Sequence, residues 1–223
     1  MVKRSASDTG WYWLAGAGAF LAGFVALVVL VDGDRLGALN EFSRALVHQP
    51  GPRLLQSAME AASFWGGRPG QIAVVLMGSL VLWPRRRGWA LSLPLVMTGA
   101  GVLQLTAKWA VDRPRPNLDP WGFPSAHVLS LVVLLGCIAY LLGTSRLHRG
   151  WRLLGVVSCA AVVLVVGYSR MYLDAHWLSD VLGGLTMGLA YLLAIIWVAS
   201  GGLAKSGRGS HRQPVPAGAA IAQ

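Results

Sequence analysis

The run WYWLAGAGAFLAGFVALVVLV, residues 11–31, decides the class of fold. It carries no charge and exceeds the length, about 18 apolar residues, at which a segment reads as a membrane-spanning helix. Lys3 and Arg4 precede it and Leu30-Val31-Asp32 closes it. A cleaved secretory signal has an apolar region of about 7–15 residues ending in small side chains. An uncleaved span is therefore expected here.

The remainder of the chain repeats the pattern. Apolar runs follow from Gln71 to Trp83, starting in the preceding helix, then from Trp89 to Lys108, Ala126 to Leu142 and Leu153 to Tyr168, with a sixth ending near Ala199. Over 223 residues, 55% are hydrophobic and 13% charged, half the charged fraction of about 25% in an average soluble domain. The expected fold is all-α, a polytopic bundle of six transmembrane helices over residues 1–200. Residues 201–223, rich in Gly, Ala, Pro and basic side chains, read as a flexible cytoplasmic tail.

Residues 32–70 are mixed. Leu36, Leu39, Phe42, Leu46 and Val47 recur at helical spacing, as do Leu54, Leu55, Ala58, Met59 and Ala62, with Pro50-Gly51-Pro52 between the two sets. Short amphipathic helices at the membrane interface fit this pattern, and so does an ordinary folded loop. Cys137 and Cys159 lie inside apolar runs and read as small packing side chains.

The net charge of +10 is explained by topology rather than by nucleic acid. With six spans and the N-terminus inside, the cytoplasmic segments hold Lys3, Arg4, Arg85, Arg86, Arg87, Arg146, Arg149, Arg152, Lys205, Arg208 and Arg212, with Asp8 as their only acid. That asymmetry is the positive-inside rule. No basic face alternates with aromatic residues as a nucleic-acid surface would.

The remaining polar residues collect in three places on the opposite side. They are Lys108 to Pro116 (KWAVDRPRP), Pro124-Ser125-Ala126-His127, and Ser169 to Asp180 (SRMYLDAHWLSD). A single cation at a membrane boundary can simply snorkel. Two histidines, several cations and a carboxylate on one side suggest phosphate chemistry, because cations and helix N-termini bind phosphate oxygens and histidine supplies nucleophilic and acid–base groups. His176 and Asp180 are four apart at the start of the sixth span, which places both on one helix face. Asp180 can then fix the His176 tautomer, leaving the other ring nitrogen free to attack. Ser125 and nearby backbone amides are candidate phosphate donors beside His127.

These segments resemble the three motifs of the type 2 phosphatidic acid phosphatase superfamily, the lipid phosphate phosphatases that share a core with vanadium haloperoxidases. The motifs are Lys, six residues, Arg-Pro; then Pro-Ser-Gly-His; then Ser-Arg, five residues, His, three residues, Asp. All three occur in order between residues 108 and 180. The resemblance implies a lipid phosphatase, and because no carboxylate cluster of metal-binding type appears, no metal or other cofactor is expected. In it Lys108, Arg115, Ser125, the Ala126 backbone and Arg170 hold the phosphate. His176, oriented by Asp180, attacks phosphorus to form a phosphohistidine, while His127 protonates the leaving oxygen and later activates water. Two positions depart from the pattern. Ala126 replaces the usual glycine, and Asp174 stands where glycine is common; its carboxylate could repel an anionic substrate or raise the pKa of a neighbouring histidine.

Pro114 and Pro116 end the helix near Asp112 and fold Arg115 back over the site. Arg113 is a spare cation, structural or at the rim. The leaving group is expected to be lipidic, and undecaprenyl pyrophosphate, phosphatidylglycerol phosphate, phosphatidic acid and diacylglycerol pyrophosphate all fit a site facing away from the cytoplasm of a bacterial inner membrane. A phosphotransferase with the same residues is the nearest alternative. Transport would place ionisable groups near the midplane, and the spans here are nearly free of charge. Gly184 and Gly188 have a close-packing spacing that serves either an assembly partner or internal packing. His48, His148 and His211 read as interfacial or solvated.

Overall fold

The computed structural model describes residues 9–201. Lys3, Arg4, Asp8, Lys205, Arg208, His211 and Arg212, and with them the tail expected beyond Gly201, lie outside the described residues. Eight α-helices account for the ordered body, and no strand occurs among the described residues. They are α1 (Thr9–Asp32), α2 (Gly37–Val47), α3 (Arg53–Gly66), α4 (Arg68–Leu82), α5 (Arg87–Ala110), α6 (Ala126–Gly143), α7 (Arg149–Tyr172) and α8 (Leu178–Ala199). The expected all-α class stands.

Five of them, α1, α5, α6, α7 and α8, are long and apolar enough to cross a membrane. The expected second span differs. α4 has 15 residues, about 22 Å of helix, short of the roughly 30 Å hydrocarbon core. It does not continue from α3, because Gly67 is extended between them and Pro69 opens the first turn of α4, where a missing N–H costs no helical bond. α7 also runs further than its apolar stretch, so Ser169 and Arg170 belong to its last turn and not to a polar connection.

α8 is the centre of the body, packed against α1 on one side and α6 on the other. Its Gly184 and Gly188 let the α6 backbone approach closely. A Cβ on Gly184 would lie 2.6 Å from the Ser125 carbonyl oxygen, and one on Gly188 2.9 Å from that of Leu129. The close-packing spacing is thus used inside the chain. α1 lies antiparallel to α8, since Gly10 faces Trp197 and Gly23 faces Thr186. The two helix ends at the described termini therefore share one end of the bundle. The opposite end carries the close of α1, all of α2 and α3, and the motif-bearing ends of α5 to α8.

Leu93, Ala100, Leu129, Val133 and Cys137 form the buried core, while Leu80, Leu95 and Leu164 are about as exposed on the outside as surface residues of a soluble protein. A body apolar on both its inside and outside is what a lipid solvent selects. The short helices are inverted. α2 buries Asn40 and Ser43 and turns Leu39, Phe42 and Leu46 outward, and α3 buries Ser63 and Gly66 while exposing Leu54, Phe64 and Trp65.

Candidate active site

The site is assembled from helix ends, where backbone and side-chain polarity can leave the apolar body. Lys108, in the last turn of α5, is buried and donates to the Trp121 carbonyl. α5 ends at Ala110, before Pro114 and Pro116, as those prolines require. The following loop doubles back through Gly122 N–H to Arg113 O (2.7 Å) and Arg115 N–H to Asp119 O (2.8 Å), which returns Arg115 to the cavity wall.

Ser125 caps α6, and its N–H donates to the Asp180 carbonyl at 2.9 Å. That bond ties the second and third motifs together. The Ser125 side chain is fully buried, its Oγ has no hydrogen-bond partner, and it does not line the cavity. Ala126 and His127, in the first turn of α6, do line it. Ala126 is helical, so the position makes no glycine-only demand on its torsions. Arg170, in the last turn of α7, reaches the same wall and donates through Nη1 to Ser63 Oγ of α3. The Nε atoms of Arg115 and Arg170 are buried without a protein partner.

His176 meets Asp180, but not through the shared helix face expected from their spacing. α8 starts at Leu178, Trp177 is its N-cap, and His176 lies one residue outside the helix. The pair forms because Asp180 occupies the third helical position and turns back toward the cap. Its Oδ2 accepts from the Trp177 N–H at 2.9 Å and lies 3.3 Å from His176 Nδ1. Arg113 is part of this arrangement, with Nη1 2.6 Å from Ser179 Oγ and 3.4 Å from Asp180 Oδ1. His176 is 3% exposed. Burial pushes its pKa below the ordinary 6.5, and Arg170 and Arg115 act in the same direction against the opposing pull of Asp180. The shift favours the neutral imidazole, the form that can act as a nucleophile.

Asp174 does not line the cavity. Its φ of +56° is the left-handed conformation that favours glycine, and its carboxylate is taken by Arg44 of α2 through two bonds of 2.7 Å. His48 is likewise engaged, with Nδ1 2.8 Å from the Tyr172 carbonyl. His148 caps α7 by accepting from the Gly150 N–H.

Lys108, Arg115, Ala126, His127, Arg170 and His176 open on one cavity of about 830 Å³. Its polar end is lined by Lys108, Arg115, His127, Arg170 and His176, with Ser63 and Arg68 from the α3–α4 junction. Its other arm runs between α4 and α5 past Ile72, Val75, Leu76, Met97 and Leu105. Among the described residues no acidic side chain lines it, so its polar end presents only positive and neutral groups. A Cβ on Gly67 would lie 3.0 Å from His127 Nε2, so the α3–α4 break is what brings the backbone against that ring. Among the described residues no three His, Cys, Asp or Glu side chains are grouped as a metal site would need. Sequence reading did not find Arg44, Asn40, Ser63 or Arg68. All four sit in the α2–α4 segment, which carries no motif.

Fold and site together define an integral membrane protein with a histidine-bearing, positively lined cavity at the polar ends of its helices. The family model of the PAP2 superfamily matches residues 118–201, and the chain belongs to that superfamily. Phosphatidylglycerophosphatase B of Bacillus subtilis (strain 168) is 28% identical over 124 residues, 52% of this chain and 61% of that one, so the match spans about six-tenths of the relative's length. The undecaprenyl-diphosphatase of Sulfolobus acidocaldarius is 27% identical over 194 residues, 80% of this chain and 86% of that one. Among solved structures, a transmembrane PAP2-type phosphatidylglycerolphosphate phosphatase from Bacillus subtilis superimposes with a TM-score of 0.73 at 20% identity, covering 85% of this chain and 96% of that one. At that identity the likeness speaks for the fold.

Proposed function

We propose that the protein is a lipid phosphatase that removes phosphate from a lipid phosphomonoester or diphosphate through a phosphohistidine. The observation that carries this is the convergence of Lys108, Arg115, Arg170, His127 and His176 on one cavity without acids. The three cations hold the phosphoryl oxygens, and the buried Nε groups of Arg115 and Arg170 give them further donors. His176, kept neutral and oriented by Asp180, attacks phosphorus as the bond to the lipid oxygen breaks. His127 delivers a proton to that oxygen, then takes one from the water that attacks the phosphohistidine, and inorganic phosphate leaves. Charge develops on the equatorial oxygens, which the fixed cations stabilise without a metal. Ser125 acts through its backbone in placing Ala126 and His127, rather than through its hydroxyl.

The apolar arm between α4 and α5 suits the acyl or prenyl tail of such a substrate. Undecaprenyl pyrophosphate, phosphatidylglycerol phosphate, phosphatidic acid and diacylglycerol pyrophosphate share this chemistry. The named activities of the two relatives support the first two.

In the membrane we infer six passes. The chain reaches the site end at the close of α1 and enters α5 from the other end, so α4 is its return path despite its length. The outward apolar faces of α2 and α3 suit an interfacial position. Arg85, Arg86 and Arg87, together with Arg146, Arg149 and Arg152, lie at the end remote from the site. The positive-inside rule then puts both termini in the cytoplasm and the site outside it, in a bacterial inner membrane.

The test is phosphate release by the purified protein in detergent with chelator, against a panel of these lipids, with and without an acceptor lipid. Release without acceptor is expected. Release only with acceptor makes the protein a phosphotransferase, and no release from any lipid overturns the reading.

A further inference from the structure

The segment that carries His176 is held from outside the three motifs. The C-terminus of α7 closes with the Asp174 N–H donating to Met171 O (3.1 Å) and the Ala175 N–H to Arg170 O (3.0 Å). This is the Schellman pattern, in which the residue after the C-cap is left-handed and usually glycine. Asp174 occupies that position here. An aspartate there brings a carboxylate within two residues of His176, close to a site built for an anion.

α2 answers that carboxylate and contacts the chain on both sides of it. His48 Nδ1 meets the Tyr172 carbonyl before the loop, Arg44 takes Asp174 bidentately within it, and Asn40 Oδ1 accepts the Ser179 N–H at 3.1 Å after it. Ser179 is in the first turn of α8, where a backbone N–H has no intrahelical acceptor. The Arg44 guanidinium also lies 5.7 Å from the Trp177 ring centroid, and Arg113 lies 5.8 Å from the same ring. Asn40 is 1% exposed. These contacts bracket His176 at residues 172, 174, 177 and 179.

We propose that α2 is the bracket that sets the position of His176, with Arg44 a positioning residue and Asp174 its obligate partner. Resting on the phosphatase reading, this adds that the acid at position 174 is tolerated only while Arg44 neutralises it. Arg44 fixes the loop and keeps the carboxylate turned away from the incoming phosphate.

The experiment compares wild type with Arg44→Ala, Asp174→Gly and the double variant. It reads kcat and KM for a lipid the wild type hydrolyses, and amide hydrogen exchange over residues 173–179 in detergent. Arg44→Ala is expected to lose at least about tenfold in kcat, with KM within about threefold, because misplacement of a reacting group falls on the chemical step. Its exchange over 173–179 rises while the core of α8 stays protected. Asp174→Gly retains at least about a third of the wild-type rate, since glycine fits the left-handed position. The double variant matches Asp174→Gly, because removing the carboxylate removes the need for its partner. Two outcomes overturn the proposal. One is a double variant whose loss is the product of the single losses, and the other is an Arg44→Ala protein with wild-type kcat and exchange. If Arg44→Ala does not fold, recovery of the folded, active protein on adding Asp174→Gly still supports the pair, and lack of recovery sinks it. If wild type hydrolyses nothing, the phosphatase reading fails, and the exchange data still decide the bracket.

Discussion

The two histidines of the cavity are held in opposite ways. His176 is almost wholly buried, its Nδ1 faces Asp180, and its backbone N–H donates to the Arg170 carbonyl at 3.2 Å. His127 stands in the first turn of α6, half-buried, and among the described residues its ring makes no hydrogen bond. A nucleophile gains from being fixed and neutral, because reaction then needs no reorganisation. A general acid and base must instead follow a proton from the leaving oxygen to water, and a fixed partner would compete for it. That difference supports the proposed roles, attack by His176 and proton transfer by His127.

Several experiments can break or sharpen that contrast. The largest effect is expected for His176→Ala, a fall in kcat of about 10⁴-fold or more in phosphate release, because no other group lies in its place to form the covalent intermediate. His127→Ala should cost less, about 10²–10⁴-fold, the range of general acid–base catalysis. The loss should shrink for substrates with better leaving groups, such as a diphosphate. Equal losses for the two variants on every substrate would erase the distinction. Arg113→Ala should cost about tenfold in kcat with little change in KM, since Arg113 faces Asp180 and Ser179 and does not line the cavity.

The smallest effect is one of pH. Protonation disables His176, and its pKa lies below the ordinary 6.5. The neutral form is therefore the majority at pH 7, and kcat should fall as the pH drops below 6.5.

Much of this was legible in the sequence, for reasons that also mark the limits. Uncharged runs such as Trp11 to Val31 are helical wherever they meet lipid, since no other local structure satisfies the backbone there. Motif spacing located His127, Arg170 and His176 because the ends of α6, α7 and α8 are short and locally determined. The shared helix face of His176 and Asp180 was not legible. Four residues is helical spacing, but it is also the spacing of an N-terminal cap reached from the third helical position, and only the backbone distinguishes them. The extension of α7 through Ser169 and Arg170 was missed because it ends on a left-handed Asp174, where no glycine marks the stop. The α2 contacts were beyond reach for two reasons. Periodicity reveals an apolar face but not the medium it meets, and at this site the polar face of α2 turns inward. The Arg44–Asp174 pair also joins residues 130 apart in the chain, for which no local pattern exists.

In the proposed mechanism the ring nitrogen of His176 that Asp180 leaves free takes the phosphoryl group. The most direct test is labelling quenched with detergent at alkaline pH, with a lipid diphosphate carrying a labelled terminal phosphate, using wild type, His127→Ala and His176→Ala. The account predicts a transient label in wild type that accumulates in His127→Ala, is stable in base and lost in acid, and maps to the peptide containing residue 176. It predicts no label in His176→Ala. A label that persists without His176, or steady phosphate release by His127→Ala with no labelled protein at any time, would contradict it.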